Sequence, residues 1–389
     1  MLNRLTGLLL GVCLASAAQT VSAIVSDGGY WVQTVRSSVS AAGVSRLSLS
    51  TLGPVSLRGA DTQTLTYELT RRVKAPRASD AEAILRRIDA AIERDEGLLK
   101  LIVTGATSYL AVPMIRVEAP RSLVNTYLGT RTGTVEARNL DGHLLVQVSG
   151  GEIVADDIRG GIRAESRGGA IRLGVVAGPS RCITAAGGIH ADHLGAESVL
   201  ETAGGEIFVG RAAGTLRLST SGGNIHVGHA VGDVHAHTSG GMIEVLEAGG
   251  VVVADTADGA IRIGAANGAR LQTSSGSISV KRVSGPLRAA TASGSILAEL
   301  ESAGLRNSFL NASDGDVTVF IPSNLAVTVK AQSVVHGGNG RVVSEFPEVA
   351  ISAAARHGYG PVVGHGEING GGPLLDLWAV GGAVYLRRR

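Results

Sequence analysis

Cysteine, aromatic residues, long apolar runs and charge of one sign are all scarce in this 389-residue sequence. There are two cysteines, Cys13 and Cys182. The first lies in a segment with the marks of an export signal. Arg4 supplies a basic start, Leu5 to Leu14 a short apolar stretch, and Val21-Ser22-Ala23 a small-residue cleavage site. Leu10-Gly11-Val12-Cys13 departs from a lipid-attachment motif at the bulky Val12. Removing residues 1–23 leaves Cys182 alone, so an internal disulfide is excluded. The apolar stretch is too short to span a bilayer, and no later segment is apolar for long enough to be a membrane helix. A net charge of +2 excludes a general pull toward nucleic acid or anionic membranes. With 3% aromatics the chain has little material for a bulky globular core or an aromatic sugar-binding floor.

What is abundant is glycine, 55 residues, beside a hydrophobic fraction of 44% that argues against disorder. The two are organised by repetition. Val135, Ile153, Ile171, Ile189, Ile207, Ile225, Ile243 and Ile261 follow one another at 18-residue intervals, and Ile278, Ile296 and Val317 continue at 17, 18 and 21. The residue two positions on is always apolar, from Ala137 and Ala155 to Val280 and Val319, whereas the residue between varies freely. Side chains alternate faces along a strand, so this pattern marks a short strand with one inward and one outward face. A glycine precedes each strand, often doubled as in Gly204-Gly205 or Gly222-Gly223, and reads as a turn residue able to adopt positive φ. About nine residues later comes a second strand, as in Ile162-Arg163-Ala164, Leu216-Arg217-Leu218, Val234-His235-Ala236 and Leu287-Arg288-Ala289.

One 18-residue unit thus holds two short strands and two turns. Neither strand can bury its apolar face alone, so stacked units must cover one another. The expected fold is all-β, a parallel β-solenoid with about 18 residues per coil. An antiparallel meander shares the nine-residue rhythm but gives the 18-residue register no purpose. Residues 24–115 break the repeat and read as a small α+β N-terminal cap. Within it, Ser79 or Asp80 starts a helix with Ala81, Ile84, Leu85, Ile88, Ala91 and Ile92 on one face, ended by Gly97. The solenoid occupies 116–330. Residues 331–389 form a C-terminal segment that loops through 331–366, irregular or helical near Val349 to Ala355. It then makes a last coil with Leu375, Leu377 and Gly381 to Leu386.

These pieces resemble a bacterial putative-adhesin family whose domain is built from repeated Gly-rich strands, and more loosely the head domain of auto-transporter-adhesin-like proteins. The segments that carry the resemblance are Ser79 to Asp95, Ile115 to Arg121, the Gly-Gly-x-Ile-x-Val units and Ile368 to Pro373. It implies a structural, adhesin-like solenoid and brings no catalytic residues.

Chemistry is sparse. No G-x-S-x-G, H-E-x-x-H or C-x-x-C occurs, and no tandem G-G-x-G-x-D pattern supports a calcium roll. Asp156-Asp157 is the most obvious acidic pair, and it reads as a turn. His190 with His226, and His193 with His229, recur two coils apart, too far to share one metal ion; His190 with His193 leaves a local two-histidine site open, and His235 and His237 lie near. On the second strand, Arg163, Arg217, His235 and Arg288 suggest a basic outward face, interrupted by Leu200, Val253 and Gln272. The reading is therefore a non-catalytic, exported solenoid, periplasmic or cell-surface-associated. It would act as an adhesin-like or envelope scaffold without a cofactor. Its partner would be an envelope or extracellular protein or an anionic polysaccharide. The alternatives are a carbohydrate-active enzyme of the polysaccharide lyase or glycosidase type on a β-helix, and a ligand- or metal-sensing envelope protein.

Overall fold

The computed structural model describes residues 19–105, 111–335, 340–353 and 360–389. Arg4, the apolar stretch and Cys13 lie outside the described residues. The chain is a parallel β-solenoid that divides into two compact units, Met1–Gly178 and Pro179–Arg389. In each unit, the first strands of successive coils pair into one sheet and the second strands into another. Among the described residues, no helix is long and apolar enough to cross a membrane.

The aliphatic columns line up as their spacing requires. In the C-terminal unit Ile189 pairs with Ile207, Ile207 with Ile225, Ile225 with Ile243 and Ile243 with Ile261, all in parallel register and all buried. In the N-terminal unit Val135 pairs with Ile153 and Ile153 with Ile171. Each such side chain contributes roughly 1.5–3 kcal/mol by leaving water. The first strands also carry a third inward residue, three positions after the second. Ala212, Ala230, Ala248 and Ala266 are buried behind two consecutive outward residues.

Positive φ, the expected cause of the turn glycines, is found at Gly133, Gly294 and Gly315, but the middle of the repeat has a different one. Gly205, Gly223 and Gly241 do not have positive φ. They are glycines because each stacks directly on its predecessor. A Cβ on Gly223 would collide with the carbonyl oxygen of Gly205, and one on Gly241 with that of Gly223. A buried threonine laces each stacked pair. Thr220 Oγ1 donates to the Gly205 carbonyl at 2.9 Å and accepts the Gly223 N–H at 3.2 Å. Thr238 makes the same two bonds to Gly223 and Gly241, and Thr202, Thr256 and Thr273 extend the relay.

The chain ends are strand-rich but do not stack in sequence order. In the N-terminal unit, Arg46–Thr51 lies between Leu98–Thr104 and Asn125–Thr132, and Val55–Ala60 lies between Ala111–Pro120 and Val135–Leu140. The earliest coil is thus inserted between two later ones. In the C-terminal unit, Leu374–Val380 sits between Ser308–Ala312 and Val327–Val334, and Ala383–Arg388 between Val317–Ile321 and Arg341–Ser344. The coil expected to be last is therefore inserted, not terminal. The expected loop over 331–366 is replaced, within the described residues, by Val327–Val334, Arg341–Ser344, Val349–Ala353 and Val362–Ile368. Val362–Ile368 pairs antiparallel with Val327–Val334 on one side and with Val349–Ala353 on the other, which covers the edge of Val327–Val334.

The expected helix over 79–95 is also corrected. It spans only Ala78–Leu85, with Arg77 at the N-cap and no side-chain cap. Asp89–Asp95 is a strand in a hairpin with Leu98–Thr104, turned through Glu96 and Gly97 at positive φ. Ala90 and Ile92 point inward at a spacing of two. The hairpin also brings Asp89 to the buried Arg71, at 2.8 Å. Burial pushes the Arg71 guanidinium below its ordinary value, and Asp89 opposes that shift. A helix through Asp89 would leave this buried cation without its partner.

Candidate functional site

The solenoid interior is packed with aliphatic side chains, so chemistry is confined to the outward columns and to clefts beside them. On the second sheet of the C-terminal unit, one outward column reads Arg181, Val199, Arg217, His235, Val253, Arg270, Arg288 and Phe309 in register. Arg217, His235 and Arg288 all stand in this column, Arg217 and His235 as register partners and Arg288 four strands from Arg217. Arg163 belongs to the N-terminal unit, where it faces Leu145 across the sheet and its guanidinium holds Glu165 at 2.7 Å. Two of the expected interruptions are misplaced. Leu200 points inward and is buried, and Gln272 belongs to the neighbouring outward column. Arg181 and Arg270 are members that sequence reasoning missed. Gly178 keeps its usual place three residues before Arg181, but the inward position between them is the polar Ser180 instead of an aliphatic residue. Arg270 follows Val253 by 17 residues, because that coil is one residue short.

The column is not uniformly charged. Arg181 lies 3.6 Å from Glu201 and Arg217 3.5 Å from Glu197. Among the described residues, Arg270 and Arg288 have no acid within ion-pairing distance. They are register partners, and Arg288 leans over the Phe309 ring, 5.6 Å from its centroid.

The first sheet carries four histidines among the described residues, His190, His193, His226 and His229. His190, Phe208 and His226 are register neighbours whose rings stack at 4.5 and 5.1 Å, within 7° of parallel. Phe208 therefore fills the gap between the two histidines. His226 Nδ1 meets Glu244 at 2.9 Å, His229 Nδ1 meets Glu247 at 3.0 Å, and His190 Nε2 meets Asp192 at 3.0 Å. Among the described residues, no group of three histidine, cysteine or acidic side chains is placed to hold a metal ion. Asp156 accepts the backbone N–H of Asp157 and of Val175, and Asp157 has φ of 50°. That pair shapes a backbone kink.

A cleft of about 610 Å³ lies in the N-terminal unit, lined in part by Arg36, Arg58, Glu68, Arg116 and Glu118. Arg36 and Arg116 hold the two oxygens of Glu68 at 2.7 and 3.5 Å. The sequence offered no signal for it, because its walls come from strands before the repeat: the antiparallel Tyr30–Ser40, Thr64–Val73 and Ala111–Pro120, and Val55–Ala60, which pairs parallel with the last of these.

A family model described as Toastrack DUF4097 matches residues 143–342. No curated protein matches the chain. Among solved structures, a "putative cell adhesion protein" from Clostridium sporogenes is 9% identical, with 96% of this chain and 100% of that one covered and a TM-score of 0.20. A "putative adhesin" from Bacteroides fragilis is 9% identical over 92% of this chain and 97% of that one, TM-score 0.20. A "putative lipid binding protein" from Parabacteroides distasonis is 13% identical over 74% of this chain and 96% of that one, TM-score 0.21.

Proposed function

The chain belongs to the Toastrack DUF4097 family, and from that premise we propose that it is a non-catalytic, exported scaffold that presents a rigid outer surface to a partner in the cell envelope or outside the cell. In this reading residues 24–115 and 331–389 supply the inserted coils and the antiparallel strands that close off the repeats of 116–330. Fixed inward columns hold the fold, and the freely varying outward positions are left for recognition. The observation that carries the proposal is the basic column Arg181, Arg217, His235, Arg270 and Arg288, whose last two arginines have no acid partner among the described residues. Repeated cations on a stiff sheet suit a repeating anion, and a sheet already ordered loses little entropy on binding. Triple charge reversal of Arg217, Arg270 and Arg288 to Glu is expected to lower retention of the protein by isolated envelope material, most at low salt. Unchanged retention would contradict the basic face.

A carbohydrate-active enzyme has one observation in its favour, the presence of Glu68 and Glu118 in one cleft. Against it, both Glu68 oxygens are taken by arginines. Turnover of a polysaccharide panel, abolished in Glu118→Gln, would establish that reading.

A further inference from the structure

The chain has few aromatic residues, and burying them is the ordinary outcome. On the outer face of the second sheet in the C-terminal unit, two are left in water. Trp378 is 46% exposed and Phe309 39% exposed. They are close neighbours. Phe309 pairs in register with Asp376, two residues before Trp378 on the same strand. On either side of Trp378, its register partners are Asn311 and Gln332. Arg288 leans on Phe309, and Arg270 stands beside Arg288. Along this column the order is two arginines without an acid partner among the described residues, then the Phe309 ring, then Asp376, which Lys330 meets at 3.8 Å; Trp378 stands in the neighbouring column between two side-chain amides.

From this arrangement we propose that the outer face bearing Arg270, Arg288, Phe309 and Trp378 is a binding platform for an acidic polysaccharide. It names the partner class for the surface proposed above and rests on that reading. Three features select this ligand. An exposed ring offers an apolar face with a polarised edge, which suits the C–H face of a sugar. Amides carry both donors and acceptors, as hydroxyl groups require. Arginine matches carboxylate or sulfate in bidentate fashion. The rings stand among polar side chains, not in the contiguous apolar core of a protein–protein contact. Strands lie about 4.8 Å apart, close to the length of one sugar residue in an extended chain. A polysaccharide running across the strands therefore meets a new row of side chains with each residue.

The test uses the full chain with polygalacturonate, dextran sulfate and uncharged dextran as probes. The chain has two tryptophans, and Trp31 is tied to the Ala75 carbonyl at 3.1 Å. Trp31→Phe therefore leaves Trp378 as the single reporter. Expected are a change in its fluorescence on adding polygalacturonate and, by affinity electrophoresis, binding of the acidic polymers well above dextran. Trp378→Ala and Arg288→Glu should each weaken polygalacturonate binding about tenfold or more, the size of an interface hot spot. Both side chains point outward, so the melting temperature should hold. Failure of polygalacturonate to bind, or equal binding by Trp378→Ala, overturns the platform. If Trp378→Ala binds neither acidic polymer less well but is still retained by envelope material, the platform fails while the scaffold reading stands. If the triple charge reversal leaves envelope retention unchanged, the basic face of the scaffold reading fails as well.

Discussion

At the scale of single residues, the most consequential finding is the threonine relay. Thr238 is fully buried, and its hydroxyl satisfies one carbonyl and one N–H that belong to two different turns. Valine has nearly the same shape but neither donor nor acceptor. Thr238→Val should leave both backbone groups buried and unmet, at about 1–3 kcal/mol each. Denaturant unfolding of Thr238→Val, with Thr238→Ser as the control that keeps the hydroxyl, reads this directly; equal stability of the two variants would show that the relay contributes nothing. The relay was visible in the sequence. Thr202, Thr220, Thr238, Thr256, Thr273 and Thr291 recur at 18, 18, 18, 17 and 18. Polar residues are read as outward by default, so a buried hydroxyl column escapes a search for apolar periods. Arg270 escaped for a related reason: one missing residue in its coil moves every later side chain by one position.

At the scale of elements, repetition decides what can be read. The first strands were legible, because each inward position is tested again 18 residues later by its neighbours. The helix was not. Ala78–Leu85 and Asp89–Asp95 share an apolar pattern that fits either period, and what separates them is the partner strand Leu98–Thr104. A long-range anchor shows the same dependence on context. Glu345, outside any repeat, accepts the Arg388 N–H at 2.8 Å and the Arg387 guanidinium at 2.7 Å. These bonds hold its carboxyl below the ordinary glutamate value, the Arg388 N–H most of all. A carboxyl depressed in the folded state adds stability that is present above its unfolded value and is lost as pH falls through its folded one. The protection of the 383–388 strand against hydrogen exchange, taken relative to the intrinsic amide rate at each pH, should therefore fall on acidification through that window. The Glu345→Gln variant should show reduced protection already at neutral pH and a smaller loss of protection with acid. Identical pH profiles would remove Glu345 as the anchor.

At the scale of the whole chain, the repeat was legible and the ends were not. A periodic column predicts its own neighbours, but an inserted coil depends on pairings between segments far apart in sequence. Arg46–Thr51 with Leu98–Thr104, and Ser308–Ala312 with Leu374–Val380, have no local signature. The candidate platform straddles this divide: Arg288 lies in the repeat, whereas Trp378 reaches its place only through the inserted strand. Function was correspondingly legible as a face and not as a site. Both rest on parallel coils stacked one upon the next, and paired cysteines in oxidised protein test that stacking most directly. Glu244 and Arg262 are register partners, as are Arg262 and Ser279. Partners one strand apart are within disulfide reach, and residues two strands apart are not. The account predicts that Glu244→Cys with Arg262→Cys, and Arg262→Cys with Ser279→Cys, form a bridge on mild oxidation, whereas Glu244→Cys with Ser279→Cys does not. A meander of the same rhythm would interpose a strand between each 18-residue pair, and absence of both expected bridges in folded protein would contradict the solenoid.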